Sequence, residues 1–344
     1  DGVNYSPGNL LLETTGTFTT SGWASVAVDS ILIQPGQEFF IATMRNDSYA
    51  VSYDKVTTAA ERSYFSGNGT SFSDMSYNSS GLPRNINLRA KISTGVTTPE
   101  NSTFVPDDNF EQALIDLGYD DVLDDYVVTD SINGITYLNV AEKEISDLTG
   151  IEAFASLYHL RIEDNSLTAL DLNSNTALVI LGCWNNQLTA LDVSNNTLLT
   201  YLNVGTNQLT TLDVSSNTAL TTLYVGNNQL ESLDVSTNTA LDGLGCWNNQ
   251  LTSLNVSNNT ALTDLDVQGN QLTSLDVSNN TALEIFKCQN NQLTTLDVSA
   301  NTALTTLKVS NNDILALDVS ANTALTTLYC ENNQLTSLDV SNNT

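Results

Sequence analysis

The chain has few basic residues and almost no histidine. Its 344 residues include 10 lysines and arginines against 39 aspartates and glutamates, which gives a formal net charge of -29, and it has one histidine. A surface this acidic repels phosphate backbones and anionic lipid headgroups, so we do not expect nucleic acid or membrane surfaces as partners. No apolar stretch approaches the roughly 18 to 20 residues that cross a bilayer, so we expect no membrane insertion.

The residue types that build active sites are also scarce. His159, the single histidine, has no serine or cysteine motif beside it that would supply a nucleophile, so no catalytic triad can be composed. Carboxylate pairs are abundant, but 39 acidic residues produce such pairs by chance and none stands out as an acid and base. We therefore predict no catalytic residues, no enzyme activity and no cofactor. Because the sequence starts without a methionine and stops inside a repeat, we expect both ends to continue into a longer chain.

Asparagine recurs in two series at a constant spacing of 21 residues, from Asn165 to Asn333 and from Asn175 to Asn343. One unit, residues 178 to 198, reads LVILGCWNNQLTALDVSNNTL and carries the frame L-x-x-L-x-[VC]-x-x-N-x-L of a leucine-rich repeat. Stacking of such units joins their apolar faces into one continuous core, and an asparagine at each corner can satisfy backbone groups of the next coil. The side chains predicted to point inward in this unit are Leu178, Leu181, Cys183, Leu188, Leu191 and Val193.

The repeat becomes less regular towards the N-terminus. Leu138 and Leu160 occupy the strand positions of two earlier coils, which brings the predicted number of strand-bearing coils to ten. Before them, Asp108 reads as the N-cap of a helix, Glu111 as its capping-box partner and Gly118 as its stop. The apolar residues of this helix are Phe110, Ala113, Leu114 and Leu117. An amphipathic helix at this place would cover the open end of the solenoid.

An acidic run follows the predicted helix. It contains Asp120, Asp121, Asp124 and Asp125, and it allows calcium binding as a minor alternative. The run lacks the glycine and the distal glutamate of an EF-hand loop, so a solvated loop of the cap is the preferred interpretation.

Residues 1 to 96 have a different sequence pattern, in which short runs of alternating apolar residues are separated by turn signals such as Pro35-Gly36. This pattern predicts an antiparallel, jelly-roll-like β-sandwich. The predicted organisation is therefore a mainly β chain with a β-sandwich at 1–96, a linker at 97–105, a helical cap at 106–134 and a leucine-rich-repeat solenoid at 135–344.

Two segments resemble known families. The segments VPDDNFEQALIDLGYDD, ISDLTGIEAF and the repeated NNQLTSLDVSNNT are similar to leucine-rich-repeat regions of large secreted or surface proteins of the Bacteroidetes. The segments GTFTTSGWASVAV and ILIQPGQEFFIA are similar to the lectin-like β-sandwich of bacterial secreted papain-like peptidases. The resemblance implies an extracellular or cell-surface location.

The exposed strand positions differ from coil to coil. From residue 165 to 344 the only basic residues are Lys287 and Lys308, and both fall in this set, as do Trp184 and Trp247. Glycines lie between the aromatic residues, and such a surface suits a sugar ring or an extended peptide. The predicted ligand-binding residues are Trp184, Tyr201, Tyr224, Trp247, Asp264, Asp266, Lys287, Lys308 and Tyr329.

Several interpretations stay open at this point. Exposed sheet positions favour aromatic residues for cross-strand contacts alone, and a tryptophan beside a glycine can simply cover bare backbone. The preferred function is a non-catalytic binding or adhesion module for a glycan or an extracellular protein. The alternatives are a spacer or anchoring region of a secreted peptidase, with the catalytic domain upstream, and a structural surface or filament subunit.

Two further series make structural predictions. Aspartates recur at one repeat position from Asp171 to Asp339, interrupted by Asn255, at an expected spacing of about 4.8 Å. They either raise one another's pKa and attract cations or accept backbone hydrogen bonds, and the second is preferred. Cys183, Cys246, Cys288 and Cys330 share one inward position and lie at least two coils apart, so we predict four free thiols with no metal.

Overall fold

The structure is a computed structural model that describes the backbone of residues 38–43 and 52–57, and residues 101–343 in full. Its contacts divide the chain into two units, Asp1–Thr97 and Thr98–Thr344. In the first unit, strand β1 (Glu38–Thr43) pairs antiparallel with β2 (Ser52–Thr57). The remainder of the β-sandwich predicted over 1–96 lies outside the described residues.

The second unit begins with a cap. Strand β3 (Ser102–Phe104) pairs antiparallel with β4 (Tyr126–Val128), and helix α1 (Asp108–Asp116) lies between them in sequence. Residues 102–104, which the sequence analysis assigns to a linker, are therefore part of the cap sheet. Helix α2 (Thr129–Ile132) follows β4. Helices of nine and four residues, as found in the described part of the chain, are too short to cross a membrane.

The N-cap of α1 is Asp107, one residue before the predicted Asp108. Oδ1 of Asp107 accepts hydrogen bonds from the backbone N–H groups of Asn109 and Phe110 at 3.0 Å each. Its Oδ2 accepts from the N–H and hydroxyl of Ser146 at 2.9 and 2.8 Å and from the N–H of Asp147 at 3.0 Å. One carboxylate thus starts the helix and joins it to the chain that enters the second coil.

Helix α1 ends as predicted, at a glycine. Gly118 has φ 78°, its N–H donates to Ile115, and the N–H of Tyr119 donates to Leu114, which is the Schellman pattern of a helix C-terminus. Phe110, Ala113 and Leu114 are buried as predicted. Leu117, the fourth residue of the predicted apolar stripe, is 45% exposed because it occupies the C-cap, where the chain turns away from the core.

Glu111 does not form the predicted capping box. The N–H of Glu111 donates to the carbonyl of Asp107, while its fully buried carboxylate reaches the acidic loop. Oε1 accepts from the N–H groups of Asp124 and Tyr126 at 2.8 and 3.1 Å. Burial raises the pKa of Glu111, and these N–H groups oppose that shift. The acidic run is therefore folded around a buried carboxylate, and Glu111 holds its backbone in place.

Ten short parallel strands form one sheet along the solenoid, as the repeat count predicts. Neighbouring strands pair in sequence order, and each places its central residue opposite the central residue of the next, as Leu181 does with Leu202. A 3-10 helix, Ile151–Ala153, occupies the longer second coil. The strands are β5 (Tyr137–Asn139), β6 (His159–Arg161), β7 (Ile180–Gly182), β8 (Tyr201–Asn203), β9 (Thr222–Tyr224), β10 (Gly243–Gly245), β11 (Asp264–Asp266), β12 (Ile285–Lys287), β13 (Thr306–Lys308) and β14 (Thr327–Tyr329).

The core of the solenoid is the file of apolar side chains that the repeat predicts. All six inward residues of the unit 178–198 are buried, and only Leu191 among them retains slight exposure. Phe286 takes the place of the central strand leucine in one coil and is also fully buried. No single coil encloses its own leucines, so each coil depends on its neighbours for its stability.

The first asparagine series satisfies backbone groups on adjacent coils. Asn228, a representative member, donates from Nδ2 to the carbonyls of Val204 and Val225 at 3.0 Å each. Its Oδ1 accepts from the N–H of Leu209 at 3.0 Å. The asparagine therefore pairs three buried backbone groups from two coils, which explains why the sequence keeps this residue at the corner.

The second series makes a related set of bonds. Asn217 donates from Nδ2 to the carbonyls of Val193 and Asn196 at 3.0 and 2.9 Å. Its Oδ1 is buried and has no hydrogen-bond donor within the described residues, and the same holds for the equivalent asparagines. Both series are structural, as predicted, but only the first uses both ends of the amide.

Candidate functional site

The predicted ligand-binding residues lie on the outer side of the ten-stranded sheet, at the first and third positions of each strand and at the second position after it, as residues 180, 182 and 184 do. The strand-face residues are defined as the side chains at these three positions from β5 to β14. Trp184 and Tyr329 are exposed, whereas Asp266 is only 8% exposed. The partly buried members of the predicted set are Tyr201, Tyr224, Trp247, Asp264, Lys287 and Lys308.

Three of the five aromatic residues in the predicted set form a continuous row. The rings of Tyr201 and Tyr224 meet edge to face with centroids 6.1 Å apart, and those of Tyr224 and Trp247 are 6.0 Å apart and tilted by 54°. Trp184 makes no ring contact with another aromatic residue of the segment 101–343. Of the four predicted aromatic residues on consecutive coils, three therefore form a row and Trp184 stands apart from it.

The Trp247 ring lies across two glycines. A Cβ atom added to Gly226 would collide with three atoms of the indole, including Nε1, and one added to Gly245 would collide with the opposite end of the same ring. Because both positions project from the sheet into one ring, the indole has one face on the backbone and the other directed away from it. Tryptophan does cover bare backbone here, and its side chain stays partly exposed.

The other glycines differ in what covers them. The space above Gly182 is filled by the carboxylate of Glu163 from the preceding coil. A Cβ at Gly243 would meet only ordinary contacts, at 3.6 Å from Thr222 and 3.7 Å from the Tyr224 hydroxyl. Both glycines are buried, but a side chain could be added at Gly243 without a clash and could not be added at Gly182.

Two carboxylates and a lysine lie on the other side of Gly243. Lys287 Nζ is 3.4 Å from Asp266 Oδ2 and 4.0 Å from Asp264 Oδ1. The backbone N–H and the side-chain amide of Gln268 both donate to Asp266 at 3.2 Å, and Gln289 donates to Gln268. Burial raises the pKa of Asp266, whereas the Gln268 N–H and the Lys287 charge oppose the shift.

These groups enclose a pocket of about 350 Å³, lined by Tyr224, Leu244, Trp247, Asp264, Asp266, Gln268 and Lys287. Five of these seven residues belong to the predicted set. The predicted set omits Gln268, which holds Asp266, and Gly243, which leaves the space open. Gly243 could have been found by asking which coil departs from the residue most frequent at its strand position, since threonine occupies that place in three coils. Gln268 gives no such signal, because the residues at its position vary from coil to coil.

A second polar group of strand-face residues lies at the N-terminal end of the sheet. The rings of Tyr137 and His159 meet edge to face at 4.9 Å, and Arg161 Nε donates to Glu163 Oε1 at 3.1 Å. Burial and the charge of Arg161 lower the pKa of His159, while Glu163 opposes that shift. None of these residues is in the predicted ligand-binding set.

The remaining predicted cation lies near the other end of the sheet. Lys308 Nζ is 5.3 Å from the centroid of the Tyr329 ring, within the range of a cation–π contact. The predicted residues therefore fall into a central group at the pocket and its aromatic row, the pair of Lys308 and Tyr329, and Trp184 apart from both.

The aspartates that recur at one repeat position from Asp171 to Asp339, here called the aspartate file, accept backbone hydrogen bonds, as the preferred prediction states. Each member from Asp171 to Asp339 accepts a hydrogen bond from the N–H two residues later, as Asp192 does from Ser194 at 2.9 Å. Hydrogen bonds from Ser194 lower the pKa of Asp192, and serine lowers the pKa of Asp276 in the same way. The expectation that like charges raise these pKa values is therefore wrong, because the local bonds outweigh the repulsion.

In the cap, Asp108, Glu111 and Asp125 each offer a carboxylate oxygen, and the three oxygens lie within 4.8 Å of one another. Glu111 uses its Oε1 on the backbone of the acidic loop, so this cluster has a structural function without an ion.

The cysteines are all free, as predicted, with Cys183, Cys246 and Cys288 buried and Cys330 partly buried. Burial raises the pKa of Cys246 to about 12.

Comparison with known proteins identifies the fold. No protein-family model and no curated protein sequence matches the chain. Among solved structures, the functional domain of InlJ from Listeria monocytogenes, described as including a cysteine ladder, is 41% identical with a TM-score of 0.67. The match covers 70% of this chain and 54% of that one, so the chain spans about half the length of this relative.

One more distant structure shares the architecture. The ectodomain of the receptor kinase GASSHO1/SCHENGEN3 from Arabidopsis thaliana, solved with CASPARIAN STRIP INTEGRITY FACTOR 2, is 21% identical with a TM-score of 0.56 over 60% of this chain and 28% of its own. A leucine-rich-repeat protein of Leptospira interrogans is 24% identical with a TM-score of 0.47 over 55% and 58% of the two chains. The second unit of this chain is a leucine-rich-repeat solenoid of the kind found in InlJ.

Proposed function

We propose that this chain is a non-catalytic binding module of an exported protein, and that it holds an extracellular protein or glycan on its strand face. The observation that carries the proposal is the central pocket. The partly exposed ring of Trp247 lies near Gly243, which has no side chain of its own, and two carboxylates line the same pocket on the next strand. Aromatic surface combined with a few directed polar groups is the usual composition of a recognition site.

A purely structural explanation covers part of this arrangement. It accounts for the Trp247 ring, which shields the backbone of two glycines, and for the tyrosines packed against it. It does not account for Gly243, because threonine at that position in other coils gives a strand of higher β-propensity with more side-chain contact. Retaining a glycine there weakens the strand and leaves a space that a ligand can enter.

The extracellular assignment rests on likeness. The repeat segments resemble secreted and surface proteins, and the second unit shares its fold with InlJ at 41% identity. The four cysteines do not oppose this location, since each lies at a repeat position that valine occupies in other coils. Free buried cysteines of this kind behave as small apolar residues and need no disulfide partner.

An array of purified glycans and extracellular-matrix proteins, probed with the full chain, tests the proposal. We expect wild type to bind a restricted set of array features and Trp247→Ala to lose them. Leu315→Thr is the matched control, because Leu315 is 62% exposed and stands where most coils have threonine, outside the strand face. Equal binding by wild type and Trp247→Ala, or no binding by folded wild type, would contradict the proposal.

A further inference from the structure

We infer that the space above Gly243 accepts a positively charged side chain, lysine or arginine, of a protein partner; the inference rests on the proposed function. The Gly243 trough is defined as this space, bordered by Tyr224 and Trp247 on one side and by Asp264 and Asp266 on the other. The strand register sets its width, since Gly243 lies opposite Thr222 on β9 and opposite Asp264 on β11.

The trough has more negative than positive charge. Asp264 and Asp266 contribute two carboxylates and Lys287 one ammonium group, so the three together carry one net negative charge. Lys287 is closer to Asp266, at 3.4 Å, than to Asp264, at 4.0 Å. The ammonium group of Lys287 therefore neutralises mainly the carboxylate of Asp266 and leaves more of the charge of Asp264 uncompensated.

Asp264 is left without a hydrogen-bond donor. Its Oδ1 is buried and receives no hydrogen bond within the described residues, because Lys287 Nζ lies too far from it for one. The Asp264 side chain as a whole is 38% exposed, so a ligand reaches it at the exposed part of the carboxylate, where an ammonium or guanidinium group supplies both a donor and the opposite charge. The charge that Lys287 leaves on Asp264 therefore favours a cationic ligand.

The aromatic side of the trough suits the same ligand. A cation above the face of a tryptophan or tyrosine ring is attracted by the ring quadrupole, and the rings of Trp247 and Tyr224 are both partly exposed. The Tyr224 hydroxyl is directed over Gly243, 3.7 Å from where a Cβ would lie. The same sheet already contains such a contact in Lys308 above Tyr329.

Charge favours a cationic peptide over a neutral sugar. A sugar hydroxyl could donate to Asp264 but would leave the net negative charge of the trough uncompensated. The chain as a whole carries a formal charge of -29, so it attracts basic surfaces from a distance and orients them before contact. A lysine or arginine on such a surface completes the pocket.

The test uses the full chain labelled with ¹⁵N at tryptophan, with the indole N–H signal of Trp247 assigned through Trp247→Phe. Acetyl-Gly-Lys-Gly-amide and its arginine counterpart are titrated at low salt, against peptides with norleucine or acetyl-lysine in the central position. We expect the cationic peptides to shift the Trp247 signal saturably, and added salt to weaken them. The neutral peptides should leave the signal unchanged.

Two carboxylate variants sharpen the experiment. Asp264→Asn keeps the shape of the trough and should lower peptide affinity about tenfold, which corresponds to about 1.4 kcal/mol. Asp276→Asn is the control, since Asp276 lies on the aspartate file where Asn255 naturally stands in another coil. It removes one charge from the chain and should leave peptide affinity unchanged.

Several outcomes would overturn the inference. It fails if the norleucine peptide or methyl glucoside shifts the Trp247 signal as much as the lysine peptide, or if no peptide shifts it. Equal losses in Asp264→Asn and Asp276→Asn would also count against it, by showing only a general charge effect. If the peptide titration fails but Trp247-dependent binding on the array is retained, the inference of a cationic ligand is refuted and the proposed function stands.

Discussion

The asparagine corners and the strand face run along the same coils, yet they differ in what their side chains do. At the corners of nine coils the residue is constant, and in the first series its amide pairs buried backbone groups of two coils, as Asn228 does with Val204, Val225 and Leu209. On the strand face the residue changes from coil to coil, and its side chains pair with one another, as Lys287 does with Asp266, or stay partly exposed. Constancy reflects a bond needed for folding, whereas variation leaves room for recognition.

The largest effect is expected at a corner. Asn228→Ala leaves the buried N–H of Leu209 unpaired, whereas the carbonyls of Val204 and Val225 keep their bonds from Asn207 and Asn249. With about 1 to 3 kcal/mol for the unpaired N–H and a smaller cost for the two lost bonds, we expect a loss of roughly 2 to 4 kcal/mol of unfolding free energy. Urea denaturation followed by far-UV circular dichroism measures it. The control is Asn227→Ala, which changes an exposed neighbour with φ 54° and should cost about 1 kcal/mol. Equal losses in the two variants would remove the distinction between corner and surface.

A second prediction concerns the cap. Asp107→Asn keeps the shape of the N-cap but weakens its bonds to Ser146 and Asp147, so we expect a loss of about 1 to 2 kcal/mol at pH 7. Burial alone would raise the pKa of Asp107, but its hydrogen bonds from Ser146, Phe110 and Asp147 outweigh burial and lower it.

The lowered pKa fixes the sign of a pH effect. Because the folded state holds the ionised form of Asp107 more favourably, its contribution is present above the ordinary pKa of 3.8 and disappears as the pH falls through the lower folded value. The stability difference between wild type and Asp107→Asn should therefore shrink below about pH 4. A difference that stayed constant down to pH 2 would mean that ionisation of Asp107 is not its cause.

The reactivity of the cysteines tests the prediction that their side chains point into the core. We expect native protein to react slowly with a thiol reagent at pH 8, since burial raises the pKa values of the thiols, and denatured protein to yield all four. Partly buried Cys330 should react first. Recovery of fewer than four thiols after unfolding without reductant would show that some are paired.

The smallest effect is expected on the aspartate file. Asp276→Asn should leave the denaturation midpoint within experimental error, because its carboxylate is exposed and Asn255 makes the same turn bond to Ser257 at 3.0 Å. Added calcium should leave the midpoint of wild type unchanged as well. A clear rise with calcium would point to cation binding by this file or by Asp108, Glu111 and Asp125 in the cap.

What the sequence predicts well is what repeats. The spacing of 21 residues predicts the inward leucines, the corner asparagines and the ten strands, because each is a local consequence of stacking. The N-cap was displaced by one residue because Asp107 and Asp108 both fit the position. The role of Glu111 was missed because its partners, Asp124 and Tyr126, are 13 and 15 residues away in a segment without periodicity.

The sequence predicts which residues lie on the strand face but not how their side chains are arranged there. Trp184 and Trp247 occupy the same repeat position, yet only Trp247 covers glycine backbone. The difference lies one coil earlier, where Gly226 makes room for Trp247, whereas Glu163 takes the equivalent place and fills the space above Gly182. Ring placement depends on pairs of coils, so it cannot be read from any single repeat.

Gly243→Thr tests most directly the claim that space on the strand face serves binding. Threonine stands at this position in three other coils, and a Cβ at Gly243 meets no close contact, so we expect unfolding free energy to rise by about 1 kcal/mol. The same side chain fills the trough, so binding to the array features of wild type should be lost. Unchanged binding in this stabilised variant would contradict the account.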